Sequence, residues 1–187
     1  LGRSLKNSIY NLNLSSEFSQ ALKELVEDGA QGLVLDLRDN GGGLVDACVQ
    51  VADEFLDEGV VVYVEDRDGN RTDYDAKDGK TDLKTVVLVN ENSASASEIF
   101  AGAVQDYGVG KIVGMTTYGK GVVQQLVNLG DGTCLKVTIA EYFTASGRSI
   151  NKKGITPDVE VEYDADPDNE DADNQLDKAV GVVKGGF

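Results

Sequence analysis

Helical and strand-like spacings of apolar residues alternate along this chain. The first helical pattern is capped by Ser15 or Ser16, carries its apolar residues from Phe18 to Val26, and stops at Gly29. Short apolar runs are typical of buried strands, whereas apolar residues three and four positions apart are typical of helices. Helices are predicted over 15–29, 44–57, 95–104 and 176–183, and strands over 32–38, 60–64, 85–89, 111–113, 122–127 and 134–143.

Two of the strand-to-helix connections have distinctive compositions. The run at 32–38 leads into a glycine loop at 39–43, and the run at 85–89 leads into a serine-rich segment at 92–97. The alternation of strands and helices predicts an α/β fold. A length of 187 residues with 41% hydrophobic residues suits a single globular domain with a substantial core.

An acidic segment separates the last predicted strand from the closing helix. Residues 164–177 are almost all Asp, Glu and Asn, which predicts a solvated linker. A calcium-binding EF-hand loop is disfavoured there, because its sixth position needs glycine and its twelfth needs glutamate, where the chain has Asn169 and Gln175. We therefore predict a core at 1–163, followed at 164–187 by an acidic linker and a C-terminal helix.

Charge and cysteine content exclude several classes of partner and site. A formal net charge of −16 argues against nucleic acids and anionic membranes, which need clustered Lys and Arg. No apolar run reaches the length of about 20 residues that a membrane-spanning helix needs. Cys48 and Cys134 are too few for a disulfide framework and, without histidine, for a zinc site. Both are predicted to be small buried hydrophobes, with a single bridge between them left open.

The serine-rich segment is the strongest candidate for chemistry. Its serines stand where a buried strand enters a helix, a position at which the next backbone amide points outward as an unsatisfied donor. The same serines also suit plain helix capping, because Ser95 and Glu98 match a capping box. The chain contains no histidine, so a nucleophilic serine cannot pass its proton to an imidazole. A lysine becomes the leading base.

The glycine loop at 40–43 is a second candidate. Its backbone amides can approach a ligand closely and can form a nest for an oxyanion or another anion. Phosphate binding is disfavoured, because the loop lacks both the Gly-Lys-Ser/Thr ending of a P-loop and the glycine spacing of a dinucleotide-binding loop. A simple tight turn is the alternative interpretation.

Lys120 is the third candidate, between Gly119 and Gly121. An exposed lysine is a poor base at neutral pH, so a catalytic role requires burial away from carboxylates. No acidic residue is near Lys120 in sequence, which makes desolvation a reasonable expectation. Gln124, four residues later, could hold a neutral amine by a hydrogen bond. The alternative is an ordinary surface lysine in a β turn.

Taken together, these segments resemble one known family. The ordered motifs are Leu-Asp-Leu-Arg-Asp-Asn-Gly-Gly-Gly at 35–43, Asn-Ser-Ala-Ser-Ala-Ser-Glu at 92–98, Tyr-Gly-Lys-Gly-Val-Val-Gln at 118–124, Gly-Arg-Ser-Ile at 147–150 and Gly-Ile-Thr-Pro-Asp at 154–158. The chain resembles the C-terminal processing peptidases, also called tail-specific proteases, which are serine proteases with a Ser-Lys pair. The resemblance implies a crotonase-like, ClpP-related α/β core of stacked β-β-α units.

The resemblance also implies the roles of individual residues. Ser95 matches the family's nucleophile, Lys120 its general base, and Gln124 the residue that orients the lysine amine. The implied activity is a serine endopeptidase that cleaves near protein C-termini through an acyl-enzyme, with no metal and no cofactor. Its substrates would be proteins or peptides with accessible C-termini.

The implied oxyanion hole combines two loops. One donor is the amide of Ala96, and the other is a glycine amide that we place at Gly42, with Gly43 close behind. Ser93 and Ser97 become local supports of the nucleophile.

The family context adds expectations about the parent protein. Members usually act outside the cytoplasm, in the bacterial envelope or the chloroplast lumen, and usually carry a PDZ domain ahead of this core. The chain shows no such domain, residues 1–14 match the family poorly, and Gly41 stands where proline is common. A homo-oligomer is left open.

Two other functional classes remain as alternatives. An inactive or unregulated fragment could act as a peptide-binding module, although such a protein would have no reason to keep the serine, lysine and glutamine together. A crotonase-type acyl transferase or thioesterase could share the fold, although the lysine motif would then be unexplained.

Overall fold

The computed structural model of the protein describes residues 14–77, 79, 81–165, 167–169 and 172–185. The poorly matched stretch at 1–14 therefore lies outside the described residues except for its last position. The described elements are α1 Leu14–Glu27, β1 Gly32–Asp36, α2 Val45–Asp53, β2 Gly59–Asp66, β3 Arg71–Ala76, β4 Lys84–Val89, α3 Ala96–Tyr107, β5 Gly110–Gly114, β6 Val122–Asn128, β7 Cys134–Thr144, β8 Val159–Glu160 and α4 Asn174–Gly185.

One sheet is parallel and has the strand order β1-β4-β5-β8. Strands β1 and β4 are neighbours in register, with Gly32 opposite Lys84 and Asp36 opposite Leu88. Their carboxyl ends therefore meet at the same edge of the sheet. Because the glycine loop follows β1 and the serine segment follows β4, the topology brings both candidate segments together at this edge.

The second sheet is antiparallel and has the order β3-β2-β7-β6. Residues 67–70 form the hairpin turn between β2 and β3, and Gly69 takes a φ of 83° there. Strand β6 lies at the edge of this sheet, immediately after the Gly-Lys-Gly turn, and its pairing with β7 shifts at a bulge between Val123 and Gln124. The edge of β6 thus begins beside the candidate base.

Helix α3 lies at the centre of the fold. It contacts β5 of the parallel sheet, β2 and β7 of the antiparallel sheet, and α2. Its first nine residues are buried, as expected for a helix enclosed by other elements. Gly108 ends it in a left-handed conformation with φ 65°. The nucleophile candidate thus precedes an element that is fixed from several sides.

Helix α4 contacts β1, β4 and β5 of the parallel sheet. A small apolar cluster forms there around Val86, Leu88, Val113 and Ala179. The helix begins at Asn174, so the prediction of a solvated linker extending to Asp177 is wrong at its end. The physical reason is local, because Asp173 caps the helix by accepting a hydrogen bond from the amide of Leu176 at 2.9 Å.

The α/β fold class predicted from the alternating pattern is confirmed.

Of the two cysteines, Cys48 is buried as predicted, whereas the same prediction for Cys134 is wrong. Cys134 opens β7 in a hairpin whose neighbouring residues, including Leu126, Leu129 and Leu135, are themselves exposed. Both cysteines are free, so the bridge that the sequence left open is absent between these two described residues.

Candidate active site

Ser95 lies in a strained turn between β4 and α3. Its backbone has φ 57° and ψ −117°, a left-handed φ that a residue with a Cβ rarely adopts. The residue is partly exposed, whereas Ala94 and Ala96 on either side are buried. A sharp strand-to-helix turn that presents a serine in this way is the geometry of a nucleophile elbow.

The glycine loop lies directly against this turn. Gly42 has φ 91°, and a Cβ built on it would lie 2.5 Å from the carbonyl oxygen of Ala94 and 2.7 Å from the amide nitrogen of Ala96. Only glycine fits both the backbone angle and the space. The contact places the loop next to the amide that follows the nucleophile candidate.

The backbone amides at this junction differ in how they are used. Among the described residues, no hydrogen bond is found from the amide of Ala96 or from that of Gly43. The amide of Gly42 donates to Oδ1 of Asn40 at 3.0 Å. Ala96 and Gly43 therefore each have an amide free to receive a developing negative charge in this conformation, and Gly42 is the glycine that approaches the Ala96 amide most closely.

Serine hydroxyls fasten the two loops together. Ser93 Oγ donates to the carbonyl oxygen of Leu37 at 2.7 Å, and Ser97 Oγ donates to that of Asn40 at 3.0 Å. The amide of Ala94 donates to the same Asn40 oxygen at 3.0 Å. Ser93 and Ser97 thus hold the glycine loop onto the segment that carries Ser95.

Glu98 connects the turn that carries Ser95, the serine turn, to the turn at 117–121 that carries Lys120, the lysine turn. Its side chain is fully buried, and one carboxylate oxygen accepts from the amides of Ser95 at 2.7 Å and Lys120 at 2.8 Å. The other oxygen accepts from the Thr117 hydroxyl and the Gly119 amide, both at 2.6 Å. Four donors satisfy a buried carboxylate well, so Glu98 fixes the backbone of both turns relative to each other.

The two glycines that flank Lys120 pack against a neighbouring backbone. A Cβ on Gly119 would lie 2.9 Å from the amide nitrogen of Lys153, and one on Gly121 would collide with the amide nitrogen of Asn151. The carbonyl oxygen of Gly119 also accepts from the amide of Lys152 at 2.8 Å. The Gly-Lys-Gly pattern therefore follows from close packing of this turn on the segment that carries residues 151–153.

The side chains of the proposed base and its partner lie in solvent in this structure. Lys120 is exposed, so the desolvation expected from its apolar sequence neighbours is wrong for this conformation. Gln124 is exposed as well, and its Nε2 donates to the hydroxyl of Thr138 at 3.4 Å. The backbone of the lysine turn is fixed beside Ser95, whereas its side chain is not enclosed.

Sequence reasoning identified Glu98 only as a capping-box residue and missed its link to the lysine turn. The predicted capping-box hydrogen bond is present, because the Glu98 carboxylate accepts from the Ser95 amide. The link to Thr117 and Gly119 had no local signal, since those residues are about 20 positions away. Asn40 was likewise missed as the loop residue whose backbone and side-chain oxygens both organise the site.

Cys48 lies beneath the nucleophile turn without being a competing nucleophile. Its thiol donates to the carbonyl oxygen of Ala96 at 3.1 Å. Burial raises the pKa of the Cys48 thiol to about 12, so the group is neutral at physiological pH.

In the described part of the chain, no group of three or more Cys, Asp or Glu side chains is arranged to hold a metal ion. The four described helices include none that is long and apolar enough to cross a membrane.

Comparison with known proteins identifies the family. The model of "Peptidase family S41" matches residues 5–161, which is most of the chain. The chain belongs to peptidase family S41. The predicted resemblance to the C-terminal processing peptidases is thereby confirmed, and the match covers the glycine loop, the serine turn and the lysine turn.

Several relatives support this membership within S41. The chain is 45% identical over 160 residues to the chloroplastic C-terminal processing peptidase of Tetradesmus obliquus, covering 84% of this chain and 34% of that protein. It is 41% identical over 186 residues to the carboxyl-terminal-processing protease of Synechocystis sp., covering 97% of this chain and 44% of the relative. The structure of a photosystem II D1 C-terminal processing protease superposes with a TM-score of 0.77 at 44% identity, covering 83% of this chain and 41% of that one.

This S41 chain is thus a serine-type peptidase by family. It spans less than half the length of each of these relatives.

Proposed function

We propose that the chain carries the catalytic centre of a serine endopeptidase in which Ser95 is the nucleophile and Lys120 the general base. The observation that supports this most directly is the arrangement around Glu98. One buried carboxylate holds the strained Ser95 turn and the lysine turn together, while the free Ala96 amide lies against the glycine loop. These are the parts that acyl transfer by a serine requires: nucleophile, base and oxyanion donors.

The first chemical step forms the acyl-enzyme. Lys120 in its neutral form takes the proton from Ser95 Oγ as this oxygen bonds to the carbonyl carbon of the scissile peptide. The negative charge that develops on the carbonyl oxygen is stabilised by the amides of Ala96 and of the glycine loop, where Gly43 has an available donor. The lysine then gives its proton to the leaving amine as the carbon–nitrogen bond breaks.

The second step releases the acyl group. Lys120 removes a proton from water as the water oxygen attacks the ester carbon, and the proton returns to Ser95 Oγ as the ester bond breaks. The cycle leaves the enzyme unchanged and consumes one water for each peptide bond.

The side chain of Lys120 must leave solvent for this chemistry. A general base must lie within hydrogen-bond reach of the proton it takes, so we propose that substrate binding covers the exposed Lys120 side chain and brings its amine to Ser95. Gln124 would then turn from Thr138 towards the lysine amine and orient it. The bulge between Val123 and Gln124 lies where such a movement is needed.

We propose that the substrates are proteins or peptides with accessible C-termini, cleaved near those ends. Strand β6 is a sheet edge that begins beside Lys120, so an extended peptide can pair with it through main-chain hydrogen bonds. From the family resemblance we further propose that the parent protein carries a PDZ domain and acts outside the cytoplasm, and one relative is named as chloroplastic.

The test is cleavage of an unfolded protein and of a C-terminally tagged peptide by the chain and its variants from neutral to alkaline pH. Ser95→Ala and Lys120→Ala should each abolish cleavage. Ser149→Ala and Lys136→Ala are matched controls outside the site and should retain it. Activity should rise with pH as the base loses its proton; retention of cleavage in Ser95→Ala would contradict the assignment.

A second candidate function is peptide binding without cleavage. Its support is that the Lys120 side chain is exposed and that Gln124 donates its hydrogen bond to Thr138 and not to the lysine amine. If the unaltered chain binds the tagged peptide but does not cleave it at any pH, this reading replaces the first.

A further inference from the structure

We propose that the side chains of Asp39, Asn90 and Asn92 form a hydrogen-bonded latch that positions the glycine loop. Asp39 is the central positioning residue of this latch. The inference rests on the proposed peptidase mechanism. The three residues lie in the loops after β1 and β4, on the outside of the site rather than in the core.

The contacts of the latch are reciprocal. Oδ1 of Asp39 accepts from Nδ2 of Asn90 at 3.0 Å and from Nδ2 of Asn92 at 2.8 Å. The amide of Asp39 donates in return to Oδ1 of Asn90 at 2.9 Å. Oδ1 of Asn90 also accepts from the amide of Asn92 at 3.1 Å. Three side chains therefore connect the glycine loop to the start of the serine segment by a closed set of hydrogen bonds.

The backbone at Asp39 shows that this connection bends the loop. Asp39 has φ 57°, in the left-handed region that is unfavourable for a residue with a Cβ but most accessible to Asn and Asp among them. An unfavourable backbone persists where the surroundings stabilise it. Here the stabilising groups are the side-chain amides of Asn90 and Asn92.

The bend at Asp39 determines where the glycine amides that follow it lie relative to the Ala96 amide. Asp39 is followed by Asn40, which holds the Ala94 amide and the Ser97 hydroxyl through its carbonyl oxygen. Gly42 then approaches Ala96 so closely that a Cβ has no room. A change in path at Asp39 therefore displaces the glycine amides relative to the Ala96 amide, and an oxyanion donor loses its effect when it is misplaced by a fraction of an ångström.

The latch has little to do with packing. Asp39 and Asn92 are exposed, and neither belongs to the apolar clusters of the core. Loss of the latch should consequently lower the rate of the chemical step and leave substrate binding and the stability of the fold largely unchanged.

The decisive variant is Asp39→Gly, because glycine adopts a positive φ without strain and removes only the side chain. We expect kcat to fall about tenfold to a hundredfold, less than loss of a whole oxyanion donor, with KM changed by less than about threefold. Inhibition by a peptide aldehyde, whose adduct with Ser95 places an oxygen in the oxyanion hole, should weaken in parallel. Binding of a product peptide and the thermal unfolding midpoint should stay near the values of the unaltered chain.

Two further variants distinguish positioning from a general structural effect. Asp39→Asn keeps an acceptor oxygen and tolerates the left-handed backbone, so it should restore most of kcat. Asp68→Gly removes an exposed aspartate in the β2–β3 turn and should leave kcat unchanged.

The outcomes separate the two levels of the proposal. Full kcat in Asp39→Gly, in a chain whose cleavage depends on Ser95, would overturn the latch and leave the peptidase mechanism intact. A fall in kcat accompanied by an equal weakening of product binding and a lowered unfolding midpoint would also overturn it. Absence of Ser95-dependent cleavage in the unaltered chain would contradict the proposed mechanism and with it the latch.

Discussion

At Gly42 the backbone angle and the packing constrain the site together. Substitution by alanine would place a Cβ within 2.7 Å of the Ala96 amide and would strain a backbone with φ 91°. We expect Gly42→Ala to lower kcat about a hundredfold, comparable with the loss of an oxyanion donor, because the loop must move away from Ala96. Steady-state kinetics with the tagged peptide measures the effect.

The adjacent glycine provides the matched control. A Cβ on Gly41 meets no atom within 4 Å and its φ is not in the left-handed region, so Gly41→Ala should keep most of the activity. Equal losses in the two variants would show that the loop needs flexibility rather than the close approach at Gly42.

The sequence was informative about which residues to examine and less so about how they meet. The absence of histidine pointed to a lysine base, and the resemblance to the C-terminal processing peptidases implied Ser95 and Lys120. The strained turn at Ser95 agrees with a nucleophile position. Three of the four hydrogen bonds of Glu98 could not be predicted, because residues 117–120 reach its carboxylate only through tertiary packing. The exposure of Lys120 is likewise a property of the assembled chain rather than of its apolar sequence neighbours.

At the scale of elements, the two helices that pack on the parallel sheet should respond oppositely to the same substitution. A Cβ on Gly181 in α4 meets no atom within 4 Å, so Gly181→Ala should stabilise the protein by about 0.5–1 kcal/mol through helix propensity. A Cβ on Gly102 in α3 would lie 2.9 Å from Cγ2 of Thr144 and 3.3 Å from Cδ1 of Ile155. Gly102→Ala should destabilise it by about 1–3 kcal/mol through overpacking.

Denaturant unfolding of the two variants checks both signs in one experiment. Each variant is the control for the other, because the chemical change is identical and only the surroundings differ. Stabilisation by Gly102→Ala would mean that α3 is packed more loosely than these distances indicate.

Most elements were predictable because their apolar period is local. The strands β1, β2 and β4 to β7 and all four helices correspond to predicted segments, with ends that differ by a few residues. Strand β3 was missed because Arg71–Ala76 is mostly polar and exposed, and it forms a strand only because β2 pairs with it. The two-residue strand β8 was missed as well, since its existence depends on pairing with β5.

At the scale of the whole molecule, one ion-pair network joins the C-terminal helix to the edge of the sheet that carries the site. Arg38, which follows β1, pairs with Asp36 at 2.7 Å and with Asp173 at 2.7 Å. The same guanidinium donates to the side-chain oxygen of Gln175, which is buried at the start of α4. The hydrogen bond from Arg38 holds the pKa of Asp173 below its ordinary value.

This lowered pKa gives the stability a defined dependence on pH. A carboxylate whose pKa is depressed in the folded state stabilises the fold fully above its unfolded pKa of about 3.9, and the contribution is lost as the pH falls through the folded value. Asp173→Asn should therefore be less stable than the unaltered chain at pH 7, by at most about 1 kcal/mol because the pair is partly solvated. The difference should shrink as the pH falls below about 4.

Denaturant unfolding between pH 3 and pH 7 measures this difference, with Asp164→Asn as a control that removes an exposed acidic side chain of the same segment. A constant difference between Asp173→Asn and the unaltered chain across this range would mean that Asp173 acts only through its cap on α4 and not through the charge of Arg38. A difference that closes in acid, with no such trend in Asp164→Asn, would show that the ion pair holds α4 against the parallel sheet. Arg38 directly precedes Asp39 in the chain, so an ion pair that holds α4 against the sheet would also fix the start of the glycine loop.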